Sequence, residues 1–345
     1  MRASIIIVNW NGLDLLPTCL DSLLAQTFKE FEIVIVDNGS TDGSAELIRD
    51  RYPSVKLIRL SENMGFAAGN NVGYANSAGE YIVTLNNDTR ADPKWLEELV
   101  TVADAHPRAG MVGCRICSFH NPDIIDSLGF GICLDGMSRG RYRLRRFSSL
   151  HMQRVEDILL PSACTALYRR AMIEEIGFFD EDFFAYCEDT DLGLRGRWAG
   201  WGAILATDST VYHKYSESAG IFTPFKLYFV ERNHYWVALK NFPMSLLILL
   251  PLFTLIRYIR QVAAILFATG TGAEFITVDS KTAYVKAIMK GTWDTLKGMP
   301  SVLKKRKIIM KNKKIFTSDM IVLLKKYRMS FGALLDSEHK EGRAI

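Results

Sequence analysis

The sequence predicts an α/β protein, a mostly parallel sheet flanked by helices, followed by a helical extension that meets a membrane. Three observations carry this reading. Apolar periods of strand and helix type alternate through the N-terminal third, short polar residues collect where the apolar strands end, and the C-terminal third joins apolar runs to a block of lysine and arginine.

The elements follow in order. Ser4 to Trp10 is apolar and β-branched, as a buried strand requires, and Leu13, Leu16, Leu20, Leu23 and Leu24 then fall at helical spacing. Glu32 to Val36 predicts a second strand, Ser40 to Arg49 a short helix, and Val55 to Leu60 a third strand. Gly65 to Ser77 predicts a third helix or a loop followed by a helix, Tyr81 to Leu85 a fourth strand, and Pro93 to Ala105 a fourth helix with proline near its first turn. Such alternation builds a parallel sheet with helices on both faces, whose ligands bind beyond the carboxyl ends of the strands.

Polar residues gather at those ends. Asn9 and Asn11 bracket the exit of the first strand, Asp37 and Asn38 leave the second, Asn63 follows the third, and Asn86, Asn87 and Asp88 leave the fourth. One such residue is ordinary turn chemistry. Four strand ends in succession make a rim suited to a nucleotide or a sugar, and the absence of G-x-G-x-x-G after the first strand removes the dinucleotide fingerprint.

Bulk composition sets the limits. With 345 residues, 48% of them hydrophobic and 23% charged, the chain can bury a large core in one large domain or two smaller ones. The expected division is 1–222 for the nucleotide-binding and catalytic part and 223–345 for a helical, apolar and basic part. Six cysteines include one C-x-x-C spacing, Cys114 and Cys117, with no second pair to complete a zinc site, which reads as reduced thiols of a cytosolic protein. Asn9 and Asn11 interrupt the N-terminal apolar run, so it reads as a strand rather than a signal peptide.

The middle of the chain is less regular. "GMSRGRYRLRRFSS" sets arginines at 139, 141, 143, 145 and 146, either as a loop over an anionic ligand or as a solvated hairpin. In "FFDEDFFAYCEDTDLGLRGRWAGW" the acids Glu188, Asp189 and Asp191 open a helical pattern, which capping alone would explain, although the preceding aromatics would remain unexplained. His213 follows an apolar strand. Its value depends on Asp88, because one carboxylate, one imidazole and substrate phosphate oxygens together form a site for a hard cation.

In the C-terminal third, "NFPMSLLILLPLFTLI" contains Pro243 and Pro251, and Arg257 and Arg260 precede a second run, "QVAAILFATGTG". Neither uncharged run reaches the roughly 18 to 20 residues of a membrane span. An interfacial or shallow re-entrant helix pair is expected, with a buried hairpin or homodimer interface as the alternative. Ser301 to Ser330 holds ten Lys or Arg against the single acid Asp319, whereas the whole chain carries only +4. Such a tail is drawn to anionic lipid, and no nucleic-acid module accompanies it.

Six stretches in this order, "SIIIVNWNG", "VIVDNGSTDGS", "ENMGFAAGNNVG", "YIVTLNNDTR", "FFDEDFFAYCEDTDLGLR" and "VYH", resemble the family 2 glycosyltransferases, inverting enzymes of the GT-A fold, and most of all their bacterial rhamnosyltransferase-like branch. The resemblance covers Ser4 to His213. It implies that Asp37 binds the base or ribose of a nucleotide-sugar donor, that Trp10 flanks the base, and that Asn11, Asn63, Gly65, Asn71, Asn86 and Asn87 line the donor site. It implies Mg²⁺ or Mn²⁺ on Asp88, the last residue of a D-x-D motif, joined by His213, with Asp189 as catalytic base and Glu188 as the fallback. Asn86 stands where many members carry the first acid of D-x-D, which removes a negative charge from the metal site.

The reaction so implied moves a sugar, L-rhamnose from dTDP-rhamnose as the first choice, to a hydroxyl of a polyprenyl-diphosphate-linked saccharide at the cytoplasmic face of the cell membrane. Galactofuranose or glucose from a UDP-sugar would use the same chemistry. A non-catalytic nucleotide-sugar-binding subunit is the alternative that Asn86 motivates. A sugar-phosphate nucleotidyltransferase is disfavoured, because the N-terminus lacks a glycine-rich basic loop for a triphosphate.

Overall fold

The computed structural model describes residues 1–214, 223–267, 269 and 281–335. The chain divides into two compact units, Met1–Phe130 with Gly140–Ile221, and Gly131–Arg139 with Phe222–Ile345. In chain order the elements are β1 (Ala3–Asn9), α1 (Leu16–Leu24), β2 (Phe31–Asp37), α2 (Ser44–Arg51), β3 (Lys56–Arg59), α3 (Gly65–Ala75), β4 (Tyr81–Leu85), β5 (Thr89–Ala91), α4 (Trp95–Ala105), β6 (Ala109–Ser118), β7 (Ile125–Ser127), β8 (Phe130–Ile132), β9 (Ser138–Gly140), β10 (Val155–Asp157), β11 (Thr165–Arg169), α5 (Arg170–Ile176), α6 (Glu188–Trp198) and β12 (Gly202–His213). There follow α7 (Pro224–Asn241), α8 (Met244–Leu266), α9 (Lys281–Lys311), α10 (Thr317–Lys326) and α11 (Phe331–Leu335).

One large sheet organises the first unit, in the order β10-β12-β6-β11-β4-β1-β2-β3. The run β3-β2-β1-β4 is parallel, as the alternating pattern requires, and β11 enters antiparallel between β4 and β6. Strand periodicity sorts the core: Ile5 and Ile7 pack with α1 and α4 on one face, while Ile6 packs with α3, α5 and α6 on the other. A Cβ on Gly69 or Gly73 of α3 would collide with Val8 and Ile6, so these glycines let the helix lie directly on β1. The aromatics ahead of Glu188 belong to this packing: Phe178 and Phe179 stack at 4.2 Å and meet Tyr168 edge-on.

Helix α6 is buried throughout its length despite its charges. Arg195 pairs with Asp191 one turn back at 2.8 Å and donates to the carbonyls of Ile176 and Gly177 at the end of α5. Arg197 donates to Leu159 O at 2.8 Å. These two arginines therefore close backbone carbonyls that burial would otherwise leave unpaired.

The arginine-rich stretch divides. Arg143 pairs with Asp126 and Arg139 donates to the carbonyl of Leu334 at 2.6 Å, so these two act as internal ties, whereas Arg145 and Arg146 stay exposed, Arg146 lying 3.7 Å from Asp123.

In the second unit α7 is the central helix. Gly291 and Gly298 of α9 leave room for the α7 backbone at Tyr228 and the ring of Trp236, and Arg306 closes the end of α7 by donating to Leu239 O at 3.0 Å. Helix α8 runs unbroken for 23 residues through Pro251, Arg257 and Arg260, where the sequence reading expected two shorter apolar segments. What joins them is Arg257, fully buried, which donates to Asp135 at 2.5 Å and to Glu231 at 3.0 Å. The close of the second expected run, at 268 and 270–272, and the boundary at 222 lie outside the described residues.

Removing one partner from a buried ion pair leaves the other charges uncompensated. Arg257→Met is expected to destabilise the second unit by about 3–5 kcal/mol, read as a lowered denaturation midpoint of the full-length protein; an unchanged midpoint would show that Asp135 and Glu231 do not need the guanidinium.

Candidate functional site

The rim expected from the sequence forms at the carboxyl edge of the parallel strands. Register sets Asn9 beside Asp37, and the Asn9 amide donates to Asp37 Oδ1 at 3.4 Å while its oxygen accepts from Asn87 at 2.8 Å. Asp37 is buried, and Arg59 stands 3.9 Å from its other oxygen. The Asn38 amide donates to Asn63 at 3.0 Å and to Gly65 O at 3.1 Å, holding the loop between β3 and α3. Asn11, in left-handed geometry at φ 50°, accepts from Thr41 N at 2.9 Å. Next to it Trp10 is 47% exposed, a flat apolar face at the strand exit.

Two predicted residues do other work. Asn71 donates to Phe179 O at 2.9 Å and accepts from Phe179 N at 3.1 Å, so its amide ties α3 to the aromatic segment. Gly65, at φ 86°, lies where any Cβ would strike Phe184. It fits α3 against the loop that precedes Glu188.

Asp88 and His213 are far apart in sequence and meet through strand pairing. Antiparallel pairing of β5 with β12 sets Thr89 opposite His213, and Nε2 of His213 faces Asp88 Oδ1 at 3.3 Å. The carboxylate is buried, and this oxygen accepts no well-formed hydrogen bond among the described residues. On the far side of the ring, Nδ1 contacts Asp126 Oδ2 at 2.7 Å, and Arg143 holds the other oxygen of Asp126. The sequence reading missed Asp126; it stands on β7, which pairs with β6 beside β12.

A carboxylate behind an imidazole whose other nitrogen faces a second carboxylate is the arrangement that orients a histidine toward a metal. Asp88 and His213 thus fit two positions of a divalent cation whose remaining ligands come from an anionic substrate. Among the described residues no group of three His, Cys, Asp or Glu could complete such a site. Burial alone would push the His213 imidazole down, but Cys164 and Asp88 outweigh it and raise the ring to about 10. A cation entering there displaces that proton.

The acid pair sits at the start of α6. Asp189 accepts from Ala163 N at 3.1 Å through one oxygen and from Thr190 N at 2.7 Å through the other. The neighbouring Cys164 carbonyl accepts from Asn86 N at 2.8 Å, so one short turn ahead of β11 holds both the acid pair and the D-x-D segment. Glu188 is buried with an Oε2 that has no hydrogen-bond partner among the described residues. Burial, and then the charge of Asp189, drive Glu188 well above the usual carboxylate range. Burial also raises Asp189, opposed by its donors at Ala163 and Thr190. Phe184, Tyr186 and Cys187, all at positive φ, lead into the pair, and such backbone costs of order 1–3 kcal/mol each for a non-glycine residue. Strain of this kind concentrates at functional loops.

A family model described as glycosyl transferase family 2 matches residues 4–177. The chain belongs to this family. It is similar to the O-antigen biosynthesis protein RfbC of Myxococcus xanthus, at 29% identity over 63% of this chain and 18% of that protein. It is also similar to an N-acetylglucosaminyl-diphospho-decaprenol L-rhamnosyltransferase of Mycobacterium tuberculosis, at 28% identity over 58% of this chain and 72% of the relative. The first of these is much longer than the matched stretch. Among solved structures, GalNAc-T7 with UDP, GalNAc and Mn²⁺ superposes with a TM-score of 0.57 over 69% of this chain and 47% of that one, at 17% identity. That likeness shows the fold alone, which is GT-A.

Two outcomes are expected from this geometry. A carboxyl raised by the fold binds its proton more tightly folded than unfolded, so its contribution to stability falls as pH rises from the unfolded value of 4.5 through the raised one. Glu188→Gln should therefore gain thermal stability over the parent, increasingly so across that window, and a pH-independent difference would contradict the buried acid. Asp126→Asn should weaken Mn²⁺ binding in the presence of a nucleoside diphosphate by about 10- to 100-fold, measured by calorimetry; unchanged affinity would remove Asp126 from this role.

Proposed function

We propose that the protein is an inverting glycosyltransferase that moves a sugar from a nucleotide donor to a hydroxyl of a lipid-linked saccharide in bacterial surface polysaccharide synthesis. The observation that carries this reading is the convergence on one sheet edge of a nucleotide-type rim, the Asp88–His213 pair and the Glu188–Asp189 pair, each built by a different part of the chain.

Asp37 receives the base or ribose, Trp10 covers the base, and Asn9, Asn11, Asn63, Asn86 and Asn87 supply short hydrogen-bonding groups around the donor. Asp88 and His213 would hold Mg²⁺ or Mn²⁺, which would supply positive charge against the departing diphosphate. Asp126 keeps the imidazole turned toward Asp88. Asp189 accepts the proton of the acceptor hydroxyl as that oxygen bonds to the anomeric carbon and the bond to the diphosphate oxygen breaks, releasing nucleoside diphosphate with inversion. Donors from Ala163 and Thr190 hold the carboxylate in place for that attack.

L-rhamnose from dTDP-rhamnose is the preferred donor, supported by the name of the mycobacterial relative, and a polyprenyl-diphosphate-linked saccharide is the corresponding acceptor. The reaction so proposed takes place at the cytoplasmic face of the cell membrane. A second assignment of the base has its own support: among the described residues Oε2 of Glu188 has no hydrogen-bond partner, whereas both oxygens of Asp189 are engaged.

Transfer and donor hydrolysis across a panel of sugar nucleotides, with and without Mn²⁺, test the reaction. Turnover of dTDP-rhamnose is expected; turnover of another sugar nucleotide alone replaces the sugar, and binding without turnover in the presence of acceptor overturns catalysis. Asp189→Asn should lower transfer by about 10²- to 10⁴-fold with donor affinity kept within a few-fold of the parent. If Glu188→Gln shows that loss and Asp189→Asn does not, the base is Glu188.

A further inference from the structure

Helix α8 is oriented against the usual rule for a helix in water. Its buried seam is Leu250, Arg257 and Ala264, spaced by heptads, so a charged residue faces inward. Its outer face is the apolar one: Ile248, Leu252, Leu255, Ile259, Val262 and Leu266 follow one another at intervals of three or four residues and are all exposed. Helix α9 repeats the arrangement. It packs on α7 through small residues at Ala287, Gly291 and Thr295 and exposes Val285, Met289, Trp293 and Leu296 in a second stripe. Of the 22 large hydrophobic side chains exposed among the described residues, 18 fall in the second unit. A soluble surface does not gather them in this way.

We propose that the outer faces of α8 and α9 lie in the plane of an anionic bilayer, inserted to the depth of the headgroup and acyl boundary. Charge selects this occupant over a second copy of the chain. Helix α8 carries no acid, and α9 carries only Asp294 against Lys290, Lys297, Lys304, Lys305 and Lys307, so two apposed copies would bring like charges together. Anionic lipid complements such a face. Geometry selects an in-plane helix over a spanning one, although α8 is long and apolar enough to cross a membrane by length and composition. Spanning would tear the buried Arg257 from Asp135 and Glu231 and carry its charge into hydrocarbon, whereas a helix lying in the interface keeps those pairs. The proposed reaction gives this surface its purpose, a lipid-linked acceptor, but the surface is defined without reference to the catalytic site.

The test is flotation of the full-length protein with phosphatidylcholine vesicles, with and without phosphatidylglycerol, in the absence of donor and acceptor. Binding that requires the anionic lipid, is weakened by salt and is reversed by an alkaline carbonate wash is expected. Ile259→Glu with Trp293→Glu should weaken it at least about tenfold, and so should Lys304→Glu with Lys307→Glu, which alters no apolar contact and guards against misfolding of the first pair. Failure to float, or flotation unaffected by both pairs, overturns the proposal. Retention through the carbonate wash would mean a span, and a stable dimer that does not float would mean a protein interface; either also overturns it. Transfer to a water-soluble acceptor analogue should survive all four substitutions, so loss of vesicle binding and loss of the proposed activity are read separately.

Discussion

The candidate site depends on the antiparallel pairing of β5 with β12. A short strand of three residues, directly after the Asn86-Asn87-Asp88 turn, adds to the end of a strand of twelve residues, and that register alone brings Asp88 and His213 within 3.3 Å. Strand β6 lies on the other edge of β12 and carries β7, which supplies Asp126. Three chain segments thus converge on one imidazole through backbone ladders. Ladders position side chains more rigidly than loops do, and an oriented imidazole needs that rigidity.

The acid pair is secured differently. Its backbone approaches through three positive-φ residues, and its surroundings are apolar: Leu192 of the same helix and Phe178 and Phe179 ahead of it belong to one core cluster. The aromatics hold the strained turn by packing, and Asn71 and Gly65 of α3 brace its two ends. Burial then raises Glu188 and Asp189 above the usual carboxylate range, opposed at Asp189 by its donors from Ala163 and Thr190. For the proposed transfer, a proton acceptor whose affinity is raised by its setting is better matched to a hydroxyl than a free carboxylate.

The second unit uses burial in the opposite sense. Arg257, Asp135 and Glu231 are polar and interior, while leucine, isoleucine and tryptophan are exterior. A buried ion pair is a weak source of net stability but a strong determinant of which way a helix faces, because any rotation of α8 leaves a charge unpaired.

Much of the fold was legible in the sequence. The first four strands and the four helices among them were read from periodicity alone, because each alternation is local and burial on a covered sheet leaves a clear apolar record. The rim was legible for the same reason, since strand ends are visible as the points where apolar runs stop. Asp126 was not legible: one acid in an irregular stretch carries no local signal, and only the β7–β6–β12 pairing gives it meaning. The arginines at 139 and 143 looked available for an anion, and tertiary contacts assigned them to the Leu334 carbonyl and to Asp126. Asn71 stood in a motif, and only the fold shows that its amide bonds to the Phe179 backbone. Composition marked 244–266 as apolar, but which side of that helix faces out depends on where Arg257 finds its partners, residues distant in sequence. Local pattern by itself determined the elements and the edge where the site lies; tertiary structure decided which polar residues meet there, because pairing between remote strands leaves no period in the chain.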